Sequence, residues 1–335
     1  MRRGFVTGIL ILMLGALLVT TGTGITAKAD AAEKVVIKFT HVVADATPKG
    51  QAAIKLKELL EKTGFFTVQV YPSSQLYGDK EELEALRANN VQLIAPSVTK
   101  LVGFVPAFQL VDMPFLFKDD QCAYSFYNGP SGQKLMNSLR PVGMLGLAWW
   151  PNGSKNFTNS KLPLRTPADF KGLKFRTQSG GVLDAQFKAL GAGSQTLAFA
   201  EVYQALNSKA VDGQENTFSN IDSQKYQEVQ KYMTLSAHGR LDYVVLTNTK
   251  FWDSLTPEQQ KAFTAAMTEA TLNATKLADD LNEKAFEKLK ASGKLEIISL
   301  TDAERQAFIK ALAPLYKKYT PIIGKEYLDA ARACK

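Results

Sequence analysis

Histidine and cysteine are scarce in this 335-residue chain, with two of each. His41 and His238 stand alone, without HExxH or any other paired metal-ligand spacing, so no metal site is expected. A lone histidine more often serves as a hydrogen-bonding core or rim residue than as a catalyst. Two cysteines, Cys122 and Cys334, cannot make a disulfide framework. An exported chain could pair them, and the sequence leaves that open. No GxGxxG follows a strand, no GxxxxGK[ST] occurs, and there is no GxSxG nucleophile elbow. Neighbouring carboxylates such as Glu81 and Glu82 read as a solvated helix face. The expectation is a protein without catalytic chemistry and without a cofactor. Blocks of Lys and Arg interleaved with aromatics are also missing, which removes nucleic acid as an expected partner.

Long apolar runs are absent with one exception. Arg2 and Arg3 precede an apolar stretch from Gly8 to Thr20, and Ala27-Lys28-Ala29 has the small-x-small pattern of a signal-peptidase site. A run of 13 residues falls short of the ~20 a spanning helix needs. Residues 1–29 therefore read as an export signal cleaved after Ala29, leaving an exported mature protein that begins at Asp30 and is not embedded in the membrane. Loss of Arg2, Arg3 and Lys28 lowers the net charge from +8 to +5 over 306 residues. Such a mild positive field would help draw in small anions.

What remains alternates between strand-like and helix-like segments. Lys34 to His41 is β-branched and precedes a helical stretch over 49–62; Phe65 to Tyr71 precedes another over 79–89, then Val91 to Ala95. Further strands are expected at 142–148, 173–176, 211–214, 243–248 and 295–299. Strands separated by helices of this length argue for an α/β fold with parallel sheets. Thr256, Pro257 and Gln259 form a helix start, and no Gly or Pro interrupts the chain until Gly293. A helix over 256–292 would be about 50 Å long, more than a small domain's diameter, and should act as a strut across two domains. The second domain is expected to begin near Asn152, giving 30–151 with part of 240–335 as one domain and 152–239 with part of the C-terminal region as the other.

Leu173 to Arg176 is a strand that runs into Ser179-Gly180-Gly181 and then a helix. This order brings helix-start N–H groups to the carboxyl end of a strand, where open α/β sheets bind anions. Arg176 could offer two parallel N–H donors to a carboxylate. Trp149 and Trp150 follow an apolar strand, as core residues or as a pocket wall.

These segments carry a resemblance. Phe199 to Asn216 (FAEVYQALNSKAVDGQEN, above all VDGQEN), FTHVVADATPKG from Phe39, YPSSQLYGDKEELEAL from Tyr71, MPFLF from Met113, NGSKNFTNS from Asn152 and GLKFR ending at Arg176 resemble the periplasmic substrate-binding subunits of tripartite ATP-independent (TRAP) transporters. The likeness covers essentially the whole mature chain and is closest to the C4-dicarboxylate branch. It implies a two-domain α/β solute-binding fold with an interdomain cleft, hinge strands and a long domain-spanning helix. The implied ligand is a small organic acid such as succinate, malate or fumarate, passed to membrane permease subunits. Arg176 matches the carboxylate-binding arginine, Asn216 an amide fixing the same end, and Phe199 an aromatic of the cleft. Lys155 and Lys100 match further basic positions, Lys155 replacing an arginine of the sialic-acid branch, and Ser179 departs from that branch in the same direction. Ser97 faces the site from the first domain, and His41, Gln75, Trp149 and Tyr243 are expected pocket wall. Another carboxylate, or presentation of the ligand to a membrane sensor, is the alternative reading.

Overall fold

The structure is a computed structural model that describes residues 33–334; the expected export signal and its cleavage point lie outside them. From Lys34 onward the chain packs as one compact unit. The first strands and helices are β1 (Val35–Thr40), α1 (Pro48–Lys62), β2 (Phe66–Tyr71), α2 (Glu82–Arg87), β3 (Leu93–Ile94), α3 (Asp120–Asn128) and α4 (Pro130–Asn137). Then follow β4 (Met144–Asn159), β5 (Lys174–Thr177), α5 (Val182–Ala189), β6 (Gly193–Thr196), α6 (Val202–Asn207), β7 (Gly213–Asn216) and α7 (Phe218–Ser223). The chain closes with β8 (Tyr232–Asn248), α8 (Thr249–Ser254), α9 (Pro257–Ala291), β9 (Glu296–Ser299), α10 (Asp302–Leu312), α11 (Pro314–Ile323) and α12 (Lys325–Arg332).

One sheet runs through the molecule in the order β2-β1-β3-β8-β4-β7-β5-β6, with β9 also beside β8. Its two ends are parallel, β1 with β2 and β3, and β5 with β6 and β7. The centre is antiparallel, because β8 pairs with both β3 and β4. The sheet is thus mixed rather than wholly parallel. β4 and β8 are 16 and 17 residues long and belong to both halves. The expected boundary at Asn152 falls inside β4, where the register shifts between Pro151 and Gly153.

The long helix forms as its sequence dictates. Thr256 accepts from Gln259 N at its start, and the Gln259 side chain returns to Thr256 N. Ala266, Ala270, Ala274 and Ala278 recur on its buried face, where small side chains allow α1 and β4 to approach closely. Near its start Phe263 meets Phe66 edge-on at 5.7 Å, and near its end Phe286 meets Phe218 at 4.6 Å. The helix therefore braces both halves of the sheet. None of the helices among the described residues is long and apolar enough to cross a membrane.

Cys122 on α3 and Cys334 just beyond α12 are joined as a disulfide across a sequence separation of 212, which fixes the C-terminal helices to the first half. Closing so long a loop restricts the unfolded chain, and about 2–4 kcal/mol is typical of such a link. Urea unfolding with and without reductant should show a loss of this size on reduction, and thiol titration of the native protein should find no free cysteine.

Candidate functional site

The VDGQEN segment shows how sequence builds the site's floor. Asp212 accepts from Lys174 N at 2.9 Å, which aligns β7 with β5. A Cβ on Gly213 would lie 2.3 Å from Thr158 O and 2.6 Å from the Phe175 ring, so only glycine fits where β7 passes between β4 and β5. Gln214 donates to Thr158 Oγ1 at 2.9 Å. Asn216 then ends β7 alongside the end of β5, which carries Arg176.

Arg176 is 1% exposed. Its Nε and Nη2 both donate to Leu197 O, at 3.1 and 2.9 Å. No Asp or Glu forms a salt bridge with it among the described residues, and burial pushes its pKa down, opposed by the more distant Tyr226, Asp79 and Glu215. Close by, the donors Asn216 Nδ2 and the Tyr226 hydroxyl are buried without a hydrogen-bond partner, as are the acceptors Asp79 Oδ1 and Asn220 Oδ1. Asn216 Oδ1 already accepts from Thr217 N and Asn220 Nδ2, so the free amide hydrogens are donors in waiting. Burying an unpaired guanidinium beside unsatisfied donors is costly. One kind of guest relieves all three donor groups at once, an anion with several acceptor oxygens.

A cavity of about 20 Å³ separates the two halves here, lined by Val42, Val43, Asp79, Glu82, Ser97 and Lys100 from the first, by Gln178, Phe199 and Asn220 from the second, and by Leu241 and Tyr243 of β8. That is room for about one water molecule. Bonds across the gap hold it shut. Lys100 Nζ, paired with Asp79 Oδ2 at 2.9 Å on its own side, donates across to Gln178 O at 2.7 Å. Thr99 and Ser179 hydroxyls meet at 2.7 Å, Phe199 N donates to Asp79 at 3.3 Å, and Lys80 reaches Glu201 at 3.3 Å.

Of the residues singled out in the sequence, Phe199, Lys100, Ser97 and Tyr243 line this cavity; Arg176 lies behind it, near enough to influence Lys100, Asn216 is hydrogen-bonded to the lining Asn220, and Ser179 meets Thr99 beside it. Four others are placed differently. Lys155 is fully buried and paired within the protein: its Nζ is 2.5 Å from Glu215 Oε1 and 3.9 Å from Asp112, which in turn accepts from Thr99 Oγ1 at 2.7 Å. Glu215 also receives His238 Nε2 at 2.6 Å and Gln186 Nε2 at 3.0 Å. Burial alone would raise the Glu215 pKa, but Lys155 and His238 outweigh it and hold the group well below the usual carboxylate range. Trp149 is core, stacked on Tyr127 at 4.6 Å on the face of β4 turned away from α9. Gln75 lies exposed in the turn after β2. His41 is buried beside Phe39 with neither ring nitrogen hydrogen-bonded; burial and then Lys49 lower its pKa to about 3, so it is neutral. The anion-ready start of α5 is also taken, since Gln109 Oε1 accepts from Val182 N at 3.3 Å.

Sequence reasoning passed over Asp79, Asn220, Tyr226 and Glu82. Glu82 is the clearest reversal: far from facing solvent, it is 1% exposed and lines the cavity.

Two sheet halves joined by long crossing strands, with a buried cationic site between them, are the features of a solute-binding receptor. The profile of the bacterial extracellular solute-binding proteins, family 7, matches residues 39–321, and the chain belongs to that family. It is 45% identical over 325 residues to the C4-dicarboxylate-binding periplasmic protein DctP of Rhodobacter capsulatus, covering 96% of this chain and 97% of that one. A TRAP periplasmic solute-binding protein from Shewanella oneidensis, solved with bound succinate, is similar with a TM-score of 0.88 and 43% identity over 90% of this chain and 99% of that one. One from Pseudomonas aeruginosa PAO1, solved with bound L-malate, is similar with a TM-score of 0.83 and 41% identity over 85% and 100% of the two chains.

Removing one member of the buried Lys155 network should be expensive in stability. Lys155→Ala leaves Glu215 short of its nearest cation, and a loss of about 3–5 kcal/mol is expected in urea unfolding of the ligand-free protein.

Proposed function

We propose that the chain is the extracytoplasmic receptor of a TRAP transporter and binds a C4-dicarboxylate, succinate or malate, for delivery to membrane permease subunits. The observation that carries this reading is Arg176, a wholly buried guanidinium with no acidic partner among the described residues. One ligand carboxylate takes the place of the missing counterion, and Asn216 Nδ2 and the Tyr226 hydroxyl donate to the same end. The relatives at 41–45% identity, named for or solved with C4 acids, favour this ligand class over longer or aromatic acids.

The cavity is too small for a four-carbon diacid, so the two sides must part to admit one and then close on it with the cavity wider than in this structure. We take the first side as 30–151 with part of 240–335, the second as 152–239 with part of the C-terminal region, and β4 and β8 as the hinge. A ligand held from both sides binds the shut form more tightly and shifts the equilibrium toward it by that difference. Shutting also excludes water, which strengthens each charged hydrogen bond. The chain binds its acid without transforming it, and export through a signal cleaved after Ala29 brings it to the periplasm.

Arg176→Ala should cost about 2–5 kcal/mol of binding free energy, the range for truncating one member of a buried charge pair. Calorimetry with succinate and malate measures it, and undiminished affinity would remove Arg176 from the site. Arg176→Lys keeps the charge but loses the fork, so a partial loss is expected.

A further inference from the structure

Glu82 opens α2 and projects into the wall of the cavity, yet neither of its oxygens accepts a hydrogen bond. A buried, ionised carboxylate normally collects donors. The charged and titratable groups around it are accounted for. Lys49 from α1 gives its Nζ to Ala95 O at 2.8 Å and lies 3.8 Å over the Tyr243 ring, forming no salt bridge. Lys100 is paired with Asp79, Glu81 adds a like charge from the same helix start, and His41 is neutral. Among the described residues no hydrogen bond or salt bridge holds Glu82 as an anion, and Lys49, whose own pKa burial lowers to about 8, is the charge that most favours its ionised form.

Charge counting gives it a use. With Glu82 ionised, the first-half wall holds two ammonium groups, Lys49 and Lys100, against two carboxylates, Asp79 and Glu82, and is neutral. A dicarboxylate would bring one charge for Arg176 and a second, uncompensated charge into this wall. With Glu82 neutral, the wall carries one net positive charge and the second carboxylate is balanced. A neutral carboxyl also has an O–H to donate, whereas an ionised one can only accept and repels the ligand.

We propose that the site takes its dicarboxylate together with one proton from solvent, held on Glu82 and donated as a hydrogen bond to the ligand's far carboxylate. This rests on the dicarboxylate reading above. In the shut form burial, opposed mainly by Lys49, raises the Glu82 pKa to about 8. An open, wetted cleft would leave it in the ordinary glutamate range, about 4.3. A group whose pKa rises on shutting favours the shut form below the higher value and loses that contribution as pH climbs through it. Binding should therefore take up a proton between those two pKa values.

The test is calorimetry of succinate binding by the mature protein, in buffers of different ionisation enthalpy, from pH 6 to 9. Uptake approaching one proton near pH 6.5 is expected, with affinity falling up to about tenfold per pH unit between pH 6 and 7.5; above about pH 8 the fall ends, because burial lowers the Lys49 pKa to about 8 and shutting there releases the Lys49 proton instead. E82Q, whose amide still donates, should bind succinate with neither uptake nor that slope. Tight binding by the wild-type protein without proton uptake overturns the proposal, as does an E82Q variant that keeps the uptake. The wild-type proton count decides the matter even if E82Q folds poorly. Failure to bind succinate at every pH would be a different result, overturning the dicarboxylate reading and this inference with it.

Discussion

An arginine sealed inside the protein, with no acidic partner among the described residues, is the constraint around which this molecule is arranged. Buried charges are ordinarily paired, because removing an ion from water costs several kcal/mol even after relaxation. The chain does not lack acids with which to do it: Glu215 and Asp79 are both near enough to influence Arg176. Each is engaged elsewhere, Glu215 by Lys155 and His238 and Asp79 by Lys100. Among the described residues the guanidinium's hydrogen bonds go to a backbone carbonyl, Leu197 O. A carbonyl orients the fork without neutralising it, so the attraction for an outside anion survives burial.

The rest of the fold keeps that arrangement rigid while leaving the cleft able to move. β5 and β7 hold Arg176 and Asn216 in fixed register, and the absent side chain at Gly213 allows the strands to pack that closely. β4 and β8 pass between the halves, and their register shifts near Pro151 and Lys155 break the regular ladder where bending would be easiest. α9 touches both halves, which limits the motion to one that a continuous helix tolerates.

Much of this was legible because local rules and tertiary context agree. The Thr256-Pro257-Gln259 start and the lack of breakers predict α9 almost to the residue, and the β-branched run from Lys34 marks β1. Where the signal fails, the cause is physical. β6 is Gly-Ser-Gln-Thr with no apolar residue, paired on one side only; its pairing comes from β5 rather than its own composition. Pro151-Asn152-Gly153 looks like a strand end, but β4 absorbs it as a register shift, hiding the length of the hinge strand. The surroundings of Lys155 and Glu82 were hidden for a shared reason. A charged residue reads as solvated or ligand-binding unless its partner is known, and the partners of Lys155 lie 43 and 60 positions away in Asp112 and Glu215. Trp149 and Trp150 alternate across the sheet, so neither reaches the cleft; Trp150 donates to Thr271 on α9 at 3.1 Å.

The bonds that shut the cleft are few, and their quality says what controls it. Lys80 and Glu201 are about half exposed, and such a pair contributes little. The Thr99–Ser179 and Lys100–Gln178 contacts are better shielded, but each is a modest net gain once lost water contacts are counted. Against them stand an unneutralised guanidinium and unsatisfied polar atoms on Asn216, Tyr226 and Asp79, all of which water could reach if the halves separated. Favourable and unfavourable terms of similar size leave the shut form without a large intrinsic advantage. A guest that satisfies those groups shifts the equilibrium by nearly its full differential affinity. Pairing Arg176 from within would have made a more stable protein, and a closed form that no longer reported whether an acid was inside.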